Sequence, residues 1–487
     1  MPASRRRLVI ASNRGPIAYG RSGNERTARR GGGGLVTALS GLVASQDVTW
    51  VAAAISAEDE AVAAEHDGAF DETDRGGHPF RLRLVRLDRA DYDRYYNVFA
   101  NPLLWFIQHG LWNRPYTPEM SAATRAAWDA YRRVNEAFAE AVAAECDRAD
   151  AVLVHDYQLY LVPRMLRTAG MRAPLSHFTH IPWPGPDAWR VLTADMRTGL
   201  LHGLLGADVI GFHTNRSVRA FLATAEEYVD DAAVDHVRPR VALREEVAHV
   251  RAYPISVDPD AFAELARHEL VAAEEERLLA TRPERLVLRV DRTDPSKNVV
   301  RGFHAFARFL ARHPEWHGRV EMLALLDPSR QEIPDYAEYV GAIHRAAREV
   351  NDQFSDPGWT PIDLRVSDNF AQAIAAYKHY DVLLVNAIVD GMNLIAKEAP
   401  LVNERAGVLV LSENAGAHEE LGPYALSVNP FDLEGTADAI AEALTMPETE
   451  RTRRAAGIRA HVREHDVRAW MAGQLADLDS IVEGGAR

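Results

Sequence analysis

Short apolar runs alternate with helical stretches from one end of the chain to the other, and this alternation restricts the possible folds more than any other feature. The runs cover residues 8–12, 48–53, 82–87, 151–154, 175–179 and 209–212 in the first half. They resume at 286–290, 320–326, 362–366, 382–385 and 408–411 in the second. Apolar stretches this short, without polar alternation, are the pattern of strands covered on both faces in a parallel sheet. Interleaved with helical stretches, they predict an α/β class with parallel sheets. The series pauses at residues 253–260 (YPISVDPD), which are polar and contain Pro, and then starts afresh. A chain of 487 residues also exceeds the roughly 250–300 residues at which a single core stops growing. The expectation is two doubly wound units, residues 1–256 and 257–465. In the tail, 466–487, Trp470, Leu475, Leu478 and Ile481 fall at helical spacing, which suits a closing helix packed back on the first unit.

Composition narrows the function classes. A formal net charge of −15 argues against general nucleic-acid binding, which needs a basic face, while leaving room for a locally basic pocket. The one cysteine, Cys146, excludes an intrachain disulfide and a cysteine-based zinc site. Its setting, AVAAECDRA, is helical and suits a buried thiol. The start, MPASRRRLVIASNR, has too short an apolar run for a signal-peptide core and reads as a first strand. No run approaches the ~18 apolar residues of a membrane span. The expectation is a cytoplasmic protein with no membrane partner.

Several stretches carry residues suited to chemistry, each with a plainer reading beside it. In DVLLVNAIVDGMNLIAKEAP (residues 381–400), a strand leads into a turn with Asp390 and Gly391, and a helical pattern begins at Asn393. Strand, glycine turn and helix start is how α/β proteins present N–H groups to an anion. Lys397 and Glu398, one turn on, offer a cation for a phosphate and a carboxylate for a ribose, and an ordinary βα unit with a solvated Lys–Glu pair fits equally. In DRTDPSKN, Arg292 and Lys297 follow a strand directly. Arg grips oxygens bidentately and Lys adds a point charge, which suits a diphosphate. Exposed ion pairs with Asp291 and Asp294 are the alternative. Four glycines at 31–34 open an amphipathic pattern, without the spacing of the dinucleotide fingerprint or the P-loop. Such a run aims N–H groups at negative charge or forms a surface loop. His155-Asp156 and His180 stand at the carboxyl ends of strands, where open parallel sheets bind ligands. No G-x-S-x-G elbow or H-E-x-x-H helix accompanies them. Tyr95, Tyr96 and Trp105 form an aromatic cluster that suits either sugar stacking or core packing.

Taken in order, SNRGP, GGGGL, YYNVFANPLLW, HDYQL, HIPWP, DRTDPSKN, PSR, GWTP, DGMNLIAKE and SENAGAHEEL resemble the trehalose-6-phosphate synthase family of retaining glycosyltransferases. The resemblance implies a GT-B fold, two Rossmann-like domains facing a central cleft. It implies a GDP-glucose or UDP-glucose donor, a glucose 6-phosphate acceptor, no metal and no cofactor. A homo-oligomer is compatible with it.

By motif position, Arg14, Tyr96, Trp105, Asp156 and Arg330 would bind the acceptor, with Arg14 and Arg330 on its phosphate. Gly33 and Gly34 would close over the donor phosphates. Gly391, Met392, Asn393 and Leu394 would hold the donor through their backbone, and Glu398 its ribose. Arg292, Lys297, His180 and Asp390 would form the catalytic set. The family is thought to react on one face of the sugar, the leaving phosphate oxygen taking the acceptor proton. Stabilising charge on the leaving group then outweighs any acid or base.

The loop DRTDPSKN differs from the more usual RLDYSKG at Thr293, Pro295 and Asn298. Gln158 replaces a His, and Pro400 stands where the helix usually continues. This pattern resembles a branch that includes GDP-glucose users and approaches the cyclitol-coupling pseudo-glycosyltransferases. Those relatives depart at SNRG, GGL, DGMNL and AKE, all of which this chain keeps. A catalytically silent sugar-phosphate-binding homologue is the remaining alternative.

Overall fold

The structure, a computed structural model, describes residues 5–30, 41–66, 68–74 and 76–483. The chain divides into two compact units, one of residues 1–253 and 470–487, the other of residues 254–469.

The first unit is built on a ten-stranded sheet. From edge to edge its strands are Ala232–Asp235, Arg240–Leu243, Glu246–Ala252, Val209–Phe212, Leu175–Phe178, Ala151–His155, Arg7–Ala11, Asp47–Ala53, Pro79–Val85 and Ala69–Thr73. The strands from Glu246–Ala252 to Pro79–Val85 pair in parallel. The outermost pairings are antiparallel. Leu8, Val9, Ile10 and Ala11 are each 2% exposed or less, as strands covered on both faces require. The apolar pattern does not reveal the hairpin Ala232–Asp235/Arg240–Leu243, the strands Glu246–Ala252 and Ala69–Thr73, or the separate hairpin Ile17–Ser22/Glu25–Arg30. These strands lie at or near sheet edges and carry polar side chains, so their apolar signal is diluted.

The second unit has a six-stranded, wholly parallel sheet in the order Ile362–Val366, Val320–Asp327, Arg285–Arg292, Val382–Val385, Val408–Ser412, Leu426–Val428. The helix Val299–Arg312 covers it with Phe303, Phe306, Phe309 and Leu310, all fully buried, on one stripe. Each such side chain contributes about 1.5–3 kcal/mol of burial.

In both sheets the first strand of the unit is central and the chain crosses to the other side midway. The crossings leave switch points between Arg7–Ala11 and Ala151–His155, and between Arg285–Arg292 and Val382–Val385. Ligands in doubly wound sheets bind beyond the carboxyl ends at such points. The closing helix runs over Val467–Glu483. Cys146 lies in a 3-10 turn after the helix Ala122–Ala143 and is half-buried, where the sequence suggested a buried thiol in a helix. Burial still pushes its thiol up to about 12, so it is no nucleophile. No helix among the described residues is long and apolar enough to cross a membrane.

Candidate active site

In the second unit, the strand Arg285–Arg292 ends at the switch point and the chain turns sharply. Thr293 ties the turn to the neighbouring strand end: its N–H donates to Asp327 O (2.9 Å), and its Oγ1 accepts from Ser329 N (3.0 Å). A 3-10 turn, Pro295–Lys297, follows, with Pro at a position that needs no N–H. Asn298 then takes φ +61°, the left-handed conformation that Asn tolerates better than most residues. Its Nδ2 donates to Asn386 O (2.9 Å) and Pro430 O (2.8 Å), which pins the start of the helix Val299–Arg312.

This folding brings Lys297 to Asp390 across the switch point. The Lys297 ammonium donates to the Asp390 carboxylate, and Asn393 Nδ2 donates to the same oxygen at 3.2 Å. Asn393 has φ +76°, and its Oδ1 caps the next helix at Ala396 N (3.3 Å). That helix runs Ile395–Val402, two residues later than the periodicity suggested. The 390–392 turn lies against the backbone of 414–417. Gly416 N donates to Asp390 O (3.0 Å) and Ala417 N to Met392 O (2.7 Å). A Cβ at Gly416 would strike the Gly391 carbonyl.

Arg292 is half-exposed and pairs with Asp294 at 2.6 Å. Arg330, at φ +43°, reaches the same carboxylate at 4.0 Å and donates to Tyr336 OH at 2.8 Å. Two guanidinium groups thus share one buried aspartate. Burial raises the Asp294 pKa, but Arg292, Arg330, Ser329 and Lys297 more than offset this and bring it to about 2. Glu398 has the opposite balance: burial pushes its carboxyl up to about 7, only partly countered by Tyr377 OH at 3.5 Å. Pro400 lies inside the helix near its end.

Lys397 corrects the sequence expectation of a cation facing a phosphate. It is fully buried, donates to Ile255 O at 2.8 Å and pairs with Glu420 at 2.6 Å. It anchors the helix instead. Sequence reading also missed Arg289, fully buried beneath the loop. Its guanidinium donates to Asn386 Oδ1 (2.5 Å) and to Lys297 O, and pairs with Asp291 at 3.0 Å. Burial raises Asp291 to about 6 despite that partner. The available signal was an arginine inside the otherwise apolar run LVLRV.

In the first unit, the segment after Arg7–Ala11 docks on tyrosines. Asn13 donates to Tyr92 OH (3.2 Å) and accepts from Tyr95 OH (3.0 Å). Arg14 is exposed and donates to Tyr96 OH at 3.4 Å. Tyr96 stacks on Tyr92 with ring centroids 5.7 Å apart. Trp105 closes the π-helix Arg94–Trp105, is 2% exposed and packs on His109 and Phe106. Across the switch point Asp156 takes φ +75°, an uncommon conformation for a residue with a Cβ. Its Oδ1 accepts from Tyr157 N and His180 N, each at 3.1 Å. His155 Nδ1 lies 3.1 Å from His180 Nε2, and His177 Nε2 3.2 Å from Asp156 O. Burial lowers the pKa of all three histidines, with neighbouring imidazoles adding to the effect at His177 and His180. The imidazoles are therefore neutral at pH 7 and serve as hydrogen-bonding groups. Gly33 and Gly34 lie outside the described residues.

The glycosyltransferase family 20 model matches residues 6–480. The chain is 35% identical over 479 residues to validamine 7-phosphate valienyltransferase of Streptomyces hygroscopicus subsp. jinggangensis, covering 97% of this chain and 94% of that protein. It is 32% identical over 484 residues to an alpha,alpha-trehalose-phosphate synthase (UDP-forming) of Aspergillus niger, covering 97% and 96%. Its structure resembles that of the E. coli trehalose-6-phosphate protein bound with UDP-2-fluoro glucose, with a TM-score of 0.84, 27% identity, and 97% and 98% of the two chains covered. It also resembles an alpha,alpha-trehalose-phosphate synthase (UDP-forming) from Burkholderia xenovorans in complex with glucose-6-phosphate, with a TM-score of 0.81, 28% identity, and 97% and 100% covered. The fold is GT-B and the protein is a transferase. Two doubly wound sheets, charged residues gathered at both switch points, and a family match along nearly the whole length lead to one assignment: the chain belongs to glycosyltransferase family 20.

Proposed function

We propose that the protein transfers glucose, with retention, from GDP-glucose or UDP-glucose to glucose 6-phosphate, giving trehalose 6-phosphate. The observation that carries this reading is the Lys297–Asp390 pair at the second unit's switch point, beside the Arg292–Asp294–Arg330 cluster. A nucleotide diphosphate settling there takes up the Lys297 ammonium and the Arg292 guanidinium, and releases the Asp390 carboxylate to accept from sugar hydroxyls. In the reaction, the bond from C1 to the diphosphate breaks while C1 bonds the anomeric oxygen of the acceptor. The acceptor's proton passes to the leaving phosphate oxygen. Arg292 and Lys297 stabilise the charge that appears there, and no side chain need act as base. His180 holds the transferring glucose. The backbone of Gly391, Met392, Asn393 and Leu394 holds the donor, joined by Gly33 and Gly34, and Glu398 holds its ribose. Arg14, Tyr96, Trp105, Asp156 and Arg330 hold the acceptor. Phosphorylated substrates of this kind make the cytoplasm the proposed compartment.

The 35% identity to a valienyltransferase favours a second reading, in which a nucleotide-activated cyclitol is coupled to an aminocyclitol phosphate. Retention of SNRG, GGL, DGMNL and AKE ranks sugar transfer first. The test is incubation of purified protein with GDP-, UDP-, ADP- and TDP-glucose plus glucose 6-phosphate, with a parallel arm of GDP-valienol plus validamine 7-phosphate. A disaccharide phosphate detected by mass spectrometry supports the first reading. Product in the cyclitol arm alone replaces it with the second, and no product in either arm leaves the silent homologue.

A further inference from the structure

Away from both switch points, the first unit carries a cavity of about 390 Å³ at its antiparallel edge, lined by Asn215, Val218, Arg238, Pro239, Arg240, His249, Val250, Arg251 and Ala252. None of these residues is acidic, although the chain as a whole carries a net charge of −15. The strand register explains why the basic groups converge. Arg240 lies directly across from His249, and Arg251 is two residues further along the same strand, so all three side chains share one face. Arg240 and Arg251 are diagonal neighbours on that face, and two like charges so placed repel one another, so a sheet edge gains nothing from the arrangement by itself.

The local acids neutralise only part of this charge. Asp235 approaches Arg240 at 3.4 Å but also accepts from the backbone N–H groups of Val237 and Arg238. Asp477 lies 3.7 Å from Arg251 and accepts from Tyr253 OH. Arg251 spends one nitrogen on Pro239 O and Val250 O and brings another to 3.3 Å from His249 Nδ1. Arg238 is exposed, and no hydrogen bond or ion pair holds its side chain among the described residues. Burial first, and then Arg251 and Arg240, lower the pKa of His249, with Asp208 and Asp477 opposing them.

The geometry points to a second anion site, separate from the catalytic one, that takes a small phosphorylated molecule through Arg238, Arg240 and Arg251. The volume falls within the roughly 300–1,000 Å³ of small-molecule sites, and convergent guanidinium groups are the standard means of holding a phosphoryl group. This inference does not depend on the donor or acceptor proposed above.

The test uses the full chain with 13C-labelled histidine, the His249 signal being identified by its loss in His249→Gln. Inorganic phosphate and glucose 6-phosphate are titrated separately, with KCl at matched ionic strength as control. The expected result is a saturable upward move of the His249 titration midpoint with the phosphorylated probes. Arg238→Gln, on an exposed side chain, should weaken the apparent affinity by about tenfold, the order expected for one charge-assisted hydrogen bond. Arg240→Gln provides a second variant. An unresponsive His249, a response reproduced by KCl, or an affinity unaltered in both variants would overturn the site.

Discussion

At the residue scale, the candidate site depends on how each charge is partnered before substrate arrives. Lys297 is held by Asp390 on one side and, through its carbonyl, by the buried Arg289 on the other. Its ammonium is therefore positioned in advance, and Lys297→Ala should lower kcat by about 10²–10³-fold, the range for removing one preorganised charge donor. Arg14→Ala should instead raise KM for the phosphorylated acceptor about tenfold with kcat nearly kept. Steady-state kinetics separates the two, and the reverse pattern would mean that the pockets are exchanged. Glu398 carries a pH prediction. Its carboxyl, raised by burial to about 7, is neutral below that pH and ionised above it. Only the carboxylate accepts from two ribose hydroxyls, so donor KM should fall as pH rises through about 7, and Glu398→Gln should flatten the profile. The same shift has a linked effect on folding. The folded carboxyl keeps its proton up to about 7, whereas the unfolded one loses it near pH 4.3. Its contribution to stability is thus full below about pH 4 and lost as pH rises through 7.

At the scale of elements, the 390–392 turn and the helix Ile395–Val402 are fixed by contacts from distant segments. The backbone of 414–417 lies so close to the turn that Gly416 has no room for a side chain, Met392 Cα standing 3.0 Å from where a Cβ would be. Gly416→Ala should displace Asp390 and lower donor kcat/KM by about 100-fold, the penalty for a misplacement near 1 Å. An unchanged kcat/KM would remove the turn from the donor site. Lys397 is expected to behave differently. Lys397→Met leaves Glu420 beside His461 Nε2 (3.0 Å) without the lysine, and leaves Ile255 O without this donor. The cost should be about 3–5 kcal/mol of stability, read from the urea midpoint, with donor KM unaltered. A raised donor KM at unaltered stability would return Lys397 to the phosphate site.

For the molecule as a whole, the closing helix matters because the chain ends where it began: residues from Trp470 onward belong to the first unit. Trp470 is 4% exposed and meets Phe178 edge-on at 5.4 Å and His180 at 6.2 Å. Trp470→Ala should destabilise the first unit by about 3–5 kcal/mol and lower its calorimetric transition. An unshifted transition would show that the tail adds no stability. The apolar runs at 209–212, 362–366 and 382–385 coincide with strands, and the other runs lie within three residues of theirs. Strand burial on both faces is written locally, in consecutive side chains, and so is legible from sequence. The first unit's antiparallel strands and hairpins were not, because one solvated face lets polar residues in. Likewise Arg292, Lys297 and Asp390 were recognisable as residues suited to a diphosphate, and the family motifs ordered them. Arg292 pairs with Asp294, as the sequence allowed, but the other partners were not legible. The sequence offered Asp291 and Asp294 to both cations, yet Lys297 meets Asp390, 93 residues away, and Lys397 faces inward to Glu420. By itself the sequence determined the α/β class, the two units and the candidate charges. Only the tertiary structure decided which charges meet, because that depends on which strand ends each sheet's crossover makes neighbours, a relation that no local pattern of residues encodes.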